Sequence, residues 1–288
     1  MTPRRAWFAI SALALVLLAV ALAAATALES RTRGFAGFRG LGIWKIDIHE
    51  QADPEVLGAA VNVAASPGIL GLVNLGGGQS GAGLERHIEA ASRFPGRVLV
   101  FMSLDGRGCC DADWADRESA RLVTGRALGA RGLHVPRDLA GPRGVPVRLD
   151  SRALDPVWTT AGGLGIPVAI HRGAGPDATG ELTRLVERHP EIPFVALHLA
   201  DLAGDPAALS SMLERLPNLH LDTAGRVVDL ARDPERSRDF LMAHADRVLF
   251  GTDLVWMQGP KPEARALVLG SGPPVRSLDQ LRRSDRSA

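Results

Sequence analysis

Tyrosine is absent from this chain of 288 residues, lysine stands only at Lys45 and Lys261, and the two cysteines, Cys109 and Cys110, are adjacent. A vicinal pair gives no disulfide framework and lacks the spacing of a zinc site, so these cysteines read as small residues in a loop after a strand. Positive charge is carried almost wholly by arginine, which reads as coding bias rather than chemistry. Charge is also nearly balanced, at +1 overall, which excludes a broad electrostatic attraction to nucleic acid. Apolar residues are plentiful at 46%. That supplies the core of one large domain, and α/β barrels run to roughly 250 residues as a single unit.

Arg4 and Arg5 precede an uncharged run over residues 6–28. As a helix that run reaches about 34 Å at ~1.5 Å per residue, enough for a hydrocarbon core of about 30 Å. It exceeds the ~7–15 residues of a signal-peptide core, which favours an anchor, yet Ala25-Thr26-Ala27 fits an A-x-A cleavage site. The expected outcomes are a membrane anchor with an exported domain, or a secreted or periplasmic protein cut after Ala27. The two arginines favour a cytoplasmic N-terminus, although Arg31 and Arg33 on the far side weaken the asymmetry. Residues 29–42 read as a linker, 43–259 as the functional domain and 260–288 as a tail.

Within that domain short apolar, β-branched runs alternate with helical stretches. The predicted strands are 43–49, 69–75, 98–104, 132–135, 166–171, 193–198, 219–223 and 248–253. Predicted helices are 54–65, 84–94, 114–128, 156–164, 180–189, 206–216 and 227–245, several opened by Asp-Pro, an N-cap followed by proline in the first turn. Eight parallel strands with intervening helices predict a (β/α)8 TIM barrel preceded by a hydrophobic N-terminal helix. Its C-terminal end is thin, because only 263–269 looks helical after the last strand.

His49, His134, His171 and His198 stand at or within a residue of predicted strand ends, and Asp253 ends the eighth strand likewise. In a barrel these ends converge on one face, where such enzymes hold their active sites. Imidazoles meeting a carboxylate are what a divalent ion such as Zn2+ requires. His87, His189 and His244 fall on helices or their ends and read as solvated, and His220 reads as structural. Asn74, Asp105, Asp222, Arg172 and Arg226 are candidates to line the mouth. Either arginine suits a substrate carboxylate. The loop after His171 is short, which predicts an open site.

Asp47-Ile48-His49-Glu50-Gln51 resembles the D-x-H-x-H signature of the first strand in the amidohydrolase superfamily. The segments PVAIH ending at His171, FVALH ending at His198 and LFGTD ending at Asp253 resemble its fifth, sixth and eighth strands. The branch most similar is the amidohydrolase-related family that includes metal-dependent decarboxylases, and the resemblance covers roughly residues 43–257. It implies one divalent ion, Zn2+ or Mn2+, held by His49, His171 and Asp253, with His198 as an acid/base or transition-state stabiliser. It implies hydrolysis or non-oxidative decarboxylation of a small organic substrate. Gln51 departs from the signature: its amide oxygen is a neutral, weaker zinc ligand than imidazole. His134 stands where some branches place a metal-bridging lysine and is a candidate replacement ligand.

Two other functions compete. Gly76 to Gly81 fits G-x-G-x-x-G after a strand and before a helix, and Asp105 ends the next strand, which is the context of a dinucleotide-binding oxidoreductase. That fold gives no reason for imidazoles at later strand ends. Gln51 and the thin C-terminus instead admit an inactive, membrane-anchored binding protein with a degenerate metal site.

Overall fold

The computed structural model describes residues 44–257 except 66–67, 79–80, 107–108, 110, 138, 141–145 and 174, together with the backbone of 265–268. The expected anchor, the linker and most of the tail lie outside the described residues, as does Cys110. Among the described residues no helix is long and apolar enough to cross a membrane.

Strands β1 (Lys45–Ala52), β2 (Ile69–Asn74), β3 (Val98–Ser103), β4 (Gly132–Val135), β5 (Val168–Ile170), β6 (Phe194–Ala196), β7 (Leu219–Asp222) and β8 (Val248–Leu249) lie side by side in sequence order, all parallel. After an irregular break at 250–253 the chain resumes as β9 (Leu254–Met257), which pairs parallel with β1. The Ile48 N–H donates to the Phe250 carbonyl and the Asp253 N–H to the His49 carbonyl, each at 3.0 Å, so first and last strands meet. The result is a curled, TIM-barrel-like parallel sheet. Helices α1 (Leu57–Ala65), α2 (Gly81–Ser92), α3 (Trp114–Leu128), α4 (Asp155–Gly163), α5 (Ala178–Arg188), α6 (Pro206–Arg215), α7 (Val227–Leu230) and α8 (Pro234–Ala243) alternate with the strands.

Side-chain alternation along each strand sorts the core into two layers. Val73, Leu75, Phe101, Ala169, Val195 and Leu197 form one cluster with Ile48 and Leu249. Their neighbours Val100, Met102, Val168, Ile170, Phe194 and Ala196 join Trp114, Trp158 and the helix residues in the larger cluster.

The structure departs from the sequence expectations at several points. The helix expected over 227–245 is broken into α7 and α8, because Pro234 lacks an N–H and Asp233 caps the new start through the Arg236 N–H at 3.1 Å. The stretch expected to be helical over 263–269 contains β10 (Arg265–Val268), antiparallel to β9. A segment that short nucleates a helix poorly, and the edge of β9 offers backbone partners. His87 and His189 are buried, not solvated. His87 faces the Asn74 amide at 3.4 Å, and His189 Nδ1 lies 3.3 Å from Glu191. His244 is half-buried with Nε2 2.9 Å from the Ser210 hydroxyl.

The glycine run has a packing explanation. A Cβ on Gly77 would overlap the Phe101 carbonyl of β3, and Gly78 has φ +73°. Both positions demand glycine for the loop to lie against the sheet.

Candidate active site

The foot of the site is built on β1. Its pairing with β2 slips between Asp47 and Glu50, and the consecutive side chains His49 and Glu50 are both buried. Asp47 accepts from the His49 N–H at 3.0 Å, the Thr252 N–H at 3.1 Å and the Thr252 hydroxyl at 2.6 Å. Glu50 accepts from the Trp256 indole at 2.8 Å. Burial, then the neighbouring charge of Asp47, pushes Glu50 up to about 8 from an ordinary 4.5.

That shift has a checkable consequence. A carboxyl group with a raised folded pKa stabilises the native state below its unfolded value. The contribution is lost as pH rises through the folded value, here between 4.5 and about 8. Glu50→Gln stays neutral, so the Tm of the metal-free variant should exceed wild type by at least ~3 °C at pH 9, the order expected from ~1 kcal/mol. The gap should close towards pH 5. Parallel Tm–pH curves would refute this.

His49, His198 and Asp253 come together, with one donor atom from each lying within 4.8 Å of the others. His49 Nε2 is 3.4 Å from Asp253 Oδ1, and His198 Nδ1 is 4.0 Å from Asp253 Oδ2. His171 stands beside this trio rather than within it. Its ring stacks on His198 with centroids 5.1 Å apart and lies 6.4 Å from His49 and 5.7 Å from His134.

Hydrogen bonding assigns the protons. His49 Nδ1 lies 2.7 Å from Asp222 Oδ2, and His198 Nδ1 lies 2.8 Å from the Ala224 carbonyl. Both partners only accept, so each Nδ1 carries a hydrogen and, on a neutral ring, Nε2 presents a lone pair. Ser103 donates its hydroxyl to the Leu75 carbonyl at 3.2 Å, so it accepts from His134 Nδ1 at 3.2 Å. His49 Nε2, His134 Nε2 and His171 Nδ1 are buried with no hydrogen-bond partner. Buried polar atoms are seldom left unpaired. Unpaired imidazole nitrogens beside a carboxylate fit a divalent ion.

Electrostatics keep most of these rings neutral. Burial, then the charge of His49, pushes His134 down to about 3. Burial, with His134 and His198 nearby, pushes His171 far below its ordinary range. Burial and His49 lower His198. Burial also opposes charge on His49, but the hydrogen bond and charge of Asp222 outweigh it and leave His49 raised. Asp253 is pushed up to about 6 by burial and, more weakly, by Asp222.

The chain after β6 enters the site by an unusual route. His198, Leu199, Ala200 and Asp201 are all left-handed, with φ of 57°, 52°, 50° and 54°. Such residues cost roughly 1–2 kcal/mol each without a glycine, so the turn persists only because its surroundings hold it. Asp201 accepts from both Arg137 Nη atoms at 2.9 and 3.1 Å and also from Arg226. Arg226 Nε donates to the His198 carbonyl at 3.2 Å.

A cleft of about 400 Å³ opens above, lined by Gln51, Arg137, His171, His198, Asp201, Arg226 and Asp253. Arg137 and His171 also border a neighbouring cleft walled by Leu139, Val147 and Leu149.

Four of the five residues expected to line the mouth stand elsewhere: Asp105, whose carbonyl accepts the Trp114 indole N–H at 3.0 Å, is not among the cleft residues. Asp222 is fully buried behind His49. Asn74 is fully buried and clamps Ala52, accepting its N–H at 3.1 Å and donating to its carbonyl at 2.9 Å. Arg172 donates to Thr179 at 3.1 Å and is not among the cleft residues. A mouth-facing role needs exposure, which a strand-end position alone does not guarantee. Arg226 does line the cleft. Arg137 and Asp201 were not singled out from the sequence, although Arg137 lies just beyond the end of β4, where barrel loops build sites.

Imidazoles and a carboxylate thus gather at the carboxyl ends of parallel strands, a donor set that could hold a divalent ion. The chain belongs to the amidohydrolase family, whose model matches residues 63–271, a span that holds His134, His171, His198 and Asp253 but begins after His49 and Gln51. No curated protein matches the chain. An uncharacterized TIM-barrel protein of Bordetella bronchiseptica is similar, with TM-score 0.54 and 19% identity over 73% of this chain and 86% of that one. An amidohydrolase of Burkholderia multivorans with bound zinc gives 0.54 at 14% identity over 73% and 84%. A dihydroxybenzoic acid decarboxylase of Polaromonas with bound manganese and the inhibitor 2-nitroresorcinol gives 0.52 at 17% identity over 73% and 86%.

Proposed function

We propose that this chain is a metal-dependent enzyme that hydrolyses or decarboxylates a small organic acid in the cleft between Gln51 and Arg226. The observation that carries this reading is the meeting of His49 and His198 with Asp253, where His49, and His134 and His171 beside them, each leave a buried imidazole nitrogen unpartnered, in a cleft that two arginines also line. Zn2+ or Mn2+ suits these donors, and the two fold relatives above carry those ions. Such an ion lowers the pKa of a water it binds and polarises a carbonyl.

In this reading His49, His171 and Asp253 hold the ion, Gln51 adds at most a weak donor, and His134 supplies a further nitrogen behind His171. His198, its Nδ1–H tied to Ala224, offers Nε2 for proton transfer. Arg137 and Arg226 orient a substrate carboxylate. Residues 6–28 tether or export the enzyme, which membrane fractionation of the full chain tests.

Metal analysis of the purified protein is the deciding experiment. Wild type should carry close to one divalent ion per chain, and His171→Ala should lose most of it. Folded wild type that stays metal-free after zinc or manganese supplementation would defeat the proposal. A second reading, favoured by the 4.8 Å trio, makes His198 the third ligand, and His198→Ala would then lose the ion instead. Metal without turnover across a panel of carboxylates and lactones would mark a binding protein, the outcome that Gln51 favours.

A further inference from the structure

We propose that Asp222 is a positioning residue whose two oxygens perform separate tasks. One fixes the tautomer of His49, and the other holds the left-handed turn that carries His198. Asp222 ends β7 with no solvent exposure. Its Oδ2 lies 2.7 Å from His49 Nδ1. Its Oδ1 accepts the His198 N–H at 2.6 Å and the Ala224 N–H at 3.3 Å. A carboxylate can only accept, so it satisfies two backbone donors at one end and requires Nδ1–H of the imidazole at the other. On the neutral ring His49 Nε2 is thereby left as a lone pair on the side of Asp253. A single carboxylate thus ties the first-strand imidazole to the turn after β6. Partners of this kind orient the histidines that bind metals and fix their tautomers.

Asp222→Asn separates the two tasks without changing shape. The backbone N–H groups of His198 and Ala224 require an oxygen at the Oδ1 position. The new NH2 is then forced against His49 Nδ1, which must become an acceptor. His49 should switch to the Nε2–H tautomer, with hydrogen where a ligand lone pair stood. The relevance to metal uptake rests on the function proposed above, but the tautomer does not.

The test is long-range 1H–15N NMR of histidine-labelled, metal-free protein at a pH high enough for the His49 ring to be neutral, with His49→Ala identifying the His49 signals. Wild type should show Nδ1–H at His49, and the folded Asp222→Asn variant should show Nε2–H. Zinc affinity by chelator competition should fall about 10–100-fold. Nε2–H in wild type would overturn the proposal whether or not the variant folds. An unchanged tautomer in the folded variant would overturn it too, while zinc binding by wild type would leave the enzyme reading standing. A switched tautomer with neither zinc nor manganese bound by either protein would uphold the role of Asp222 and defeat the metal enzyme.

Discussion

Replacing His198 by alanine is expected to lower kcat by about 10²–10⁴-fold, the usual contribution of a positioned acid or base, while the bound ion stays. The ring is held on one edge by Nδ1–H donation to Ala224 at 2.8 Å and on its face by stacking with His171, at an interplanar angle of 26°. Burial and the nearby charge of His49 keep it below its ordinary pKa, so it is neutral near pH 7 and its Nε2 can accept a proton. The measurement pairs kcat with metal content, on whichever carboxylate or lactone wild type turns over. Loss of metal in step with activity would show His198 to be a ligand. A fall in kcat of less than threefold with metal retained would remove it from the chemistry.

Trp158→Ala should be the most damaging core substitution, at about 3–5 kcal/mol. Trp158 lies on α4, is fully buried, and meets Phe194 of β6 edge-on with ring centroids 6.5 Å apart. Removing the indole leaves a void between helix and sheet, behind the strand that leads into the left-handed turn. In thermal unfolding, where ~1 kcal/mol moves Tm by about 2–4 °C in a domain this large, the loss should exceed ~6 °C. Trp158→Phe should cost far less, since the indole N–H has no hydrogen-bond partner to lose. A shift under ~2 °C for the alanine variant would mean that α4 packs independently of β6.

The parallel strands were legible because strands covered on both faces read as continuous apolar runs. The Asp-Pro start of α6 was legible because it records a cap: Asp205 accepts the N–H of Ala208, three residues on. The strand-end histidines could be read as one group because alternating strands and helices bring those ends to a common face. What stayed hidden depended on burial and on backbone conformation. Asp222 looks the same in sequence whether it meets substrate or His49. The left-handed turn is spelled His198-Leu199-Ala200-Asp201, with neither glycine nor asparagine to signal it. Arg137 and Asp201 lie on loops, whose paths a single sequence does not report.

The two halves of the foot of the site come from opposite ends of the domain. Asp47 with Thr252 and Glu50 with Trp256 pair across 205 and 206 positions of sequence. Contacts this distant form late, because closing so long a loop costs entropy before any contact repays it. A nascent chain lacking its last strands has His49 but not Asp253, so the proposed ion site is incomplete in it. On the function proposed above, metal capture would report completed folding, and an ion that binds only the finished sheet would shift the equilibrium towards it by mass action.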